Sequence, residues 1–319
     1  MKSFILKCLI VVAGIAAVDI AVGSLGKYVI KELNKKNYSG QAALLGYNLE
    51  GLKTDILIVG SSTASCHYIP SILRDSINVL LNTTYNAFNA GVYYQQPPYS
   101  YCVLKSIMER KVPSIVILDV QPQSLGEDVN PAGLKPLRPY YSINNNVKEI
   151  LDYNESFYNR ICLKSGLFRF NTEIVKLIAS FRNPVGDDGF FPKEGELDHY
   201  DMEHESDTNE LNPVFVSEFE RTLEMANDND IQLFVVLSPR LSYPDKNSKS
   251  YNKIYELCEK HKIEVLDYTS NDDLLNCHLF CDKIHLNPTG ADMLTRQLFN
   301  DMKYSLISAW EEKMKRVCK

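Results

Sequence analysis

Two kinds of apolar pattern run along the chain. The first is a nearly unbroken apolar stretch from Cys8 to Leu25, preceded by Lys2 and Lys7 and interrupted by one acid, Asp19. The second starts at Asp55, where short apolar runs rich in β-branched residues alternate with segments of helical period. The runs cover residues 56–60, 85–91, 114–120, 231–238 and 263–268. The helical segments cover 68–76, 98–110, 213–229 and 248–261. Such alternation predicts an α/β fold of three layers, with a central parallel sheet of about five strands covered by helices on both faces. Most of the runs are apolar throughout, as doubly covered strands are; the run at 85–91 is the exception.

The alternation breaks between residues 125 and 211, which read as an insertion over one edge of the sheet. Long insertions of this kind often shape a binding site. It resumes and ends in a long terminal helix, for which Asn287 supplies an N-cap and Pro288 the first helical position. The charged start and apolar middle of residues 1–26 match a signal peptide or signal anchor. The run is close to the minimum of about 17 residues that spans a bilayer. Asp19 would cost about 2.5–3.5 kcal/mol at the bilayer centre on insertion scales. Neither a small-x-small cleavage site nor a lipobox accompanies the run, so an uncleaved transmembrane anchor is expected. Residues 27–53 then form a stalk and 54–319 the main domain, outside the cytoplasm if the two lysines stay inside. The alternative is a buried amphipathic helix.

Composition narrows the function. The chain has 319 residues, 45% apolar and 23% charged, with net charge −6 and pI about 5.6. No basic run marks a nucleic-acid surface, and no such partner is expected. Nineteen tyrosines stand against one tryptophan, and most belong in core or half-buried positions. The eight cysteines show no disulfide framework. Cys277, His278, Cys281 and His285 can be drawn as a zinc set, although tetrahedral sites use tighter pairs.

Candidate chemistry concentrates where strands end, because open α/β sheets bind ligands at the carboxyl ends of their strands. Gly60-Ser61-Ser62 follows the first strand: a glycine for a sharp turn, then a serine at the mouth of the sheet, near helix N–H groups that stabilise an oxyanion. Asp282 and His285 stand three apart just before the terminal helix. A nucleophilic serine needs a base within hydrogen-bond reach, and the base needs an orienting carboxylate.

On these blocks, residues 54–299 resemble the SGNH/GDSL hydrolase family, which implies a flavodoxin-like sheet and ester chemistry without metal or organic cofactor. The resemblance makes Ser62 the nucleophile, His285 the base and Asp282 its partner. Asn89-Ala90-Gly91 resembles the second block, so the N–H groups of Gly91 and Ser62 would form an oxyanion hole. The third block departs from the pattern: no Asn follows the third strand. Pro122-Gln123 is instead similar to the membrane-anchored D-alanyl transfer proteins of teichoic-acid modification, which makes Gln123 the candidate amide donor. Asp119 reads as strand-end structure and His67 as packing. Tyr93, Tyr94 and Gln95 either flank the cleft or pack. Arg240 either binds an anionic substrate group or pairs with an acid of the insertion. Residues 187–191 form a loop near the site or a solvated one. The expected activity is that of an esterase or O-acyltransferase acting on acyl esters of cell-envelope or extracellular glycans, alone or with envelope acylation partners. The alternative is a non-catalytic accessory or carbohydrate-binding protein of the same fold.

Overall fold

The computed structural model describes residues 2–33, 41–93, 95, 97–127, 131–171, 173–179 and 188–317. The chain runs through α1 (Lys2–Leu33) and α2 (Gln41–Glu50) into β1 (Ile56–Val59), α3 (Ser62–His67), α4 (Pro70–Leu81), β2 (Ala87–Asn89), α5 (Pro97–Met108) and β3 (Ile115–Val120). Four short helices follow: α6 (Asn145–Asn154), α7 (Phe157–Cys162), α8 (Gly166–Phe170) and α9 (Glu173–Ala179). The alternation then returns with β4 (Glu203–His204), α10 (Pro213–Asp228), β5 (Gln232–Leu237), β6 (Ser242–Tyr243), α11 (Lys249–Lys260), β7 (Glu264–Asp267) and α12 (Pro288–Val317).

Five of the strands form one parallel sheet in the order β2-β1-β3-β5-β7, with Ile56 opposite both Ala87 and Ile115. The α/β architecture expected from the sequence is therefore the one observed. Even-numbered residues of β1 (Ile56, Ile58) share a buried cluster with Ile115 and Ile117 of β3, Phe234 and Val236 of β5, and residues of α3, α4 and α12. The alternate residues point to the opposite face, on which α5 and α10 pack against each other. β1, β3 and nearly all of β5 are buried on both faces, which is why these three read as largely apolar runs, whereas the edge strand β7 is half-buried.

Helix boundaries follow local chemistry. Asn212 caps α10 by accepting from the N–H groups of Val214 and Phe215, with Pro213 at the first helical position. Ser248 caps α11 through the N–H of Tyr251. Asn287 accepts from Gly290 N–H at 3.1 Å and so starts α12. From there Ala291, Leu294, Leu298, Met302 and Leu306 form a buried stripe at helical spacing.

The described residues group into two compact units, one from 1–51 and 134–185, the other from 52–133 and 186–319. The described residues of 134–179, expected as part of an insertion over a sheet edge, thus group with the N-terminal helices. In that unit α8 and α9 pack on α1, and α9 also packs on α2. Elsewhere in the expected insertion, residues 203–204 pair with 242–243 in a separate two-stranded parallel ribbon of the sheet-bearing unit.

Leu298 is fully buried between α12 and the sheet. Leu298→Ala removes buried methyl groups that neighbours only partly replace. It is expected to cost about 2–5 kcal/mol, read as a lowered urea midpoint of the sheet-bearing unit.

Candidate active site

The switch in strand order lies beside β1, whose neighbours β2 and β3 are reached in opposite directions. The chain leaves β1 at Gly60, where a Cβ would come within 2.6 Å of the Asp119 carbonyl oxygen. Only glycine lets the turn pass this close to β3. Ser61 precedes α3, and Ser62 is its first residue, half-buried at the carboxyl end of the sheet.

The turn before α12 delivers the partner groups. Cys281 N–H donates to the His285 carbonyl at 2.9 Å, and residues 280 and 286 form an antiparallel bridge, closing a tight loop. Inside it Asp282 Oδ1 accepts from the backbone N–H groups of Ile284 and His285, each at 2.9 Å. His285 Nδ1 lies 2.9 Å from both Asp282 oxygens, and His285 Nε2 lies 2.8 Å from Ser62 Oγ. Three residues from two distant segments thus form one hydrogen-bonded chain. With the Nδ1 proton directed to Asp282, Nε2 is left to accept from the serine hydroxyl.

Two charge effects tune this chain. Burial works to raise the Asp282 pKa, but the two backbone N–H groups and the His285 ring outweigh it and hold the carboxyl at about 2. Burial lowers the His285 pKa below the usual 6.5. Asp282 opposes that shift, whereas Lys193 and Arg240 add to it.

Lys193 was not singled out from the sequence. Its Nζ lies 2.9 Å from His285 Nδ1 and 3.5 Å from Asp282 Oδ2, and 5.6 Å from the centre of the Tyr93 ring. The segment carrying it is stitched down at both ends: Phe191 N–H donates to the Ser65 carbonyl, and Leu197 N–H to the Phe280 carbonyl. The charge near Nδ1 disfavours the imidazolium. Residues 188–191 belong to this segment; position 187 lies outside the described residues, as does Tyr94.

His67 packs beneath the site rather than lining it. It is fully buried, its ring sits 6.4 Å edge-on from that of His285, and its Nε2 accepts the Leu286 N–H at 3.0 Å. Burial, helped by the neighbouring His285, lowers its pKa to about 3. The residue is therefore a neutral acceptor that fixes the backbone next to His285.

The second block forms a clasp over α3. Asn89 Nδ2 donates to the carbonyls of Ala64 and Tyr68, while its Oδ1 accepts the Gly91 N–H at 2.9 Å. The Gly91 N–H, expected as an oxyanion donor, is spent inside this clasp. A Cβ at Gly91 would lie 2.4 Å from Ser65 N, so the glycine serves close passage of the chain over α3.

Gln123 is half-buried; its Oε1 accepts from Arg240 at 3.1 Å and its Nε2 donates to Gln121 Oε1 at 3.3 Å. Arg240 in turn pairs with Glu205 at 2.6 Å, an acid of the expected insertion. Asp119 is buried beneath the turn and accepts from the hydroxyls of Thr63, Tyr68 and Ser238. Gln95 is buried, with Nε2 donating to the Tyr93 carbonyl.

The zinc alternative gains no geometry. Among the described residues, the one group whose ligand atoms converge is Glu220, Glu224 and His261, away from the cysteines. His278 meets Glu196 at the surface instead.

No family model and no curated protein sequence matches the chain. Esterases are among the solved structures with similar architecture. One is the psychrotrophic esterase EstA from Pseudoalteromonas sp., at 9% identity, covering 79% of this chain and 97% of that one, with a TM-score of 0.42. Another is an acetylxylan esterase from Geobacillus stearothermophilus, at 8% identity, covering 80% and 96%, with a TM-score of 0.38. At such scores the reading of the site rests on its own geometry.

By NMR titration of the imidazole, His285 is expected to protonate below the usual 6.5 of a free histidine. Lys193→Ala removes a cation that opposes the imidazolium, so it is expected to move that midpoint upward. An unchanged or lower midpoint would separate Lys193 from the electrostatics of the site.

Proposed function

We propose that the chain is a serine-dependent ester hydrolase or O-acyltransferase of the SGNH type. The observation that carries this reading is the 2.8 Å approach of His285 Nε2 to Ser62 Oγ, with Asp282 at 2.9 Å behind the imidazole. In this reading His285 Nε2 takes the Ser62 proton as Oγ bonds to the acyl carbon. The carbonyl π pair moves onto oxygen, and the tetrahedral centre collapses by expelling the alcohol, which takes the proton from Nε2. Water or a second hydroxyl then repeats the sequence on the acyl-enzyme and frees Ser62. Asp282 holds the imidazole in the required tautomer and balances its transient charge.

The developing oxyanion falls to the Ser62 N–H, at the first position of α3 where intrahelical partners are lacking, and to Gln123 Nε2. Arg240 holds Gln123 Oε1, and in this reading the second Nε2 hydrogen, or the one now given to Gln121 Oε1 at 3.3 Å, turns to the oxyanion. A donor of this kind is worth about 2.7–4 kcal/mol in hydrolases.

Location bears on the substrate. α1 is long and apolar enough to cross a membrane, with a mean hydropathy of 2.5 over its most apolar window. An anchored enzyme whose main domain faces outward would meet acyl esters on cell-surface glycans, and that substrate class is part of the proposal.

The test is labelling of the full-length chain in detergent with a fluorophosphonate probe. Native protein is expected to label covalently and Ser62→Ala to lose the label. Equal labelling of the two removes Ser62 from its role, and a native chain that resists the probe favours a non-catalytic binding protein.

A further inference from the structure

We infer that α7, α8 and α9 lie in the membrane interface, with their exposed apolar side chains set into lipid beside α1. This rests on the reading of α1 as a membrane-spanning helix. Among the described residues, seven of the twelve exposed large apolar side chains outside α1 fall between Tyr153 and Ile178. They include Phe157 and Tyr158 on α7, Leu167 on α8, and Val175 and Ile178 on α9, with Phe157 73% and Val175 68% exposed. A concentration of this kind on one small unit marks an interaction surface.

The way the unit is joined to α1 names the occupant. The Asp19 carboxylate accepts from the Ser165 hydroxyl and from the N–H groups of Gly166 and Leu167, so it caps α8 from outside. A Cβ on Gly166 would lie 2.7 Å from Gly23 Cα, and one on Gly26 would lie 2.3 Å from the Phe170 ring. The two helices therefore meet backbone to backbone at residues 19–23 of α1, and the Phe170 ring lies against Gly26. A hydrocarbon core of about 30 Å takes about 20 helical residues, which places its far boundary near Gly23 when counted from Phe4. The docking stretch sits at that boundary. Asp19, costly in hydrocarbon, is satisfied just where the helix leaves it.

The apolar residues of α7–α9 thus continue the exposed apolar surface of α1, on which Ile20 and Leu25 are still 69% and 50% exposed. Tyr153 and Tyr158 supply the amphipathic rings favoured at lipid headgroups, and Arg160 and Lys164 are exposed among them. A helix in this position buries its apolar face about 5–10 Å into the headgroup boundary.

The experiment places a fluorescent amino acid at position 157, 161 or 175 of the full-length chain. The chain is reconstituted in vesicles of phosphatidylcholine and phosphatidylglycerol, and quenching is measured with lipids brominated at graded depths, from the headgroup end of the acyl chain to its middle, the strongest value at each position being taken. Position 11 in α1 is the lipid reference, and position 79, on exposed Val79 of the sheet-bearing unit, is the water reference. Quenching at 157, 161 and 175 is expected to reach at least about half that at 11 and to exceed that at 79 several-fold. Values matching position 79 while position 11 is quenched would overturn the inference and leave the anchor standing; the same values are expected if a protein partner covers the patch. Absence of quenching at position 11 would overturn both.

Discussion

The site depends on one buried carboxylate. Asp119, the last residue but one of β3, lies beneath the Gly60–Ser62 turn, and three hydroxyls converge on it: Thr63 from α3, Tyr68 from the link to α4, and Ser238 just after β5. Burial raises its pKa to about 6, against the opposing pull of these hydroxyls and of the Ala64 N–H. A carboxylate in this position is tolerable only when its lone pairs are used, so the three elements are held in one arrangement. The nucleophile candidate starts α3, and its position follows from that arrangement. Replacing the acid with an apolar residue would leave three buried hydroxyls to find other partners.

The second segment is held by comparable means. The turn before α12 wraps its own carboxylate with backbone N–H groups, and His67 reaches up from α3 to take the Leu286 N–H. The 2.8 Å contact between Ser62 and His285 is therefore the meeting of two rigid turns. α12 packs its apolar stripe on α4 and the sheet and fixes their separation. Chemistry at the rim is supported from the core in both directions.

What could be read from the chain was what is encoded locally. Strands β1, β3, β5 and β7 follow from short β-branched runs, and α12 from Asn287 and Pro288. The serine and Asp-x-x-His blocks could be found because each is a turn with its own spacing. The rest depends on pairing between distant segments. Nothing near Lys193 signals that its loop is stitched to Ser65 and Phe280, and nothing near Arg240 signals Glu205. His67 has the same letters around it whether it packs or lines a pocket. The Asn89-Ala90-Gly91 block could be located, but its task could not: whether the Gly91 N–H faces a substrate or its neighbour's side chain depends on how close α3 passes. The grouping of the described residues of 134–179 with the N-terminal helices was equally hidden, because its signal was a single acid whose partners lie almost 150 positions away.

The stitched segment around Lys193 separates two properties that are usually bound together. The serine, the imidazole and their carboxylate take their geometry from turns on the sheet and before α12. One of the cations that lower the imidazole's hold on a proton comes from a different stretch, bound by main-chain bonds at residues 191 and 197 and by the contact of Glu196 with His278. None of these attachments uses the Lys193 side chain. Substitutions along that stretch can therefore shift the working acidity range of the centre while its atoms stay in place, which gives a lineage a way to adapt to a new environment by drift in a loop.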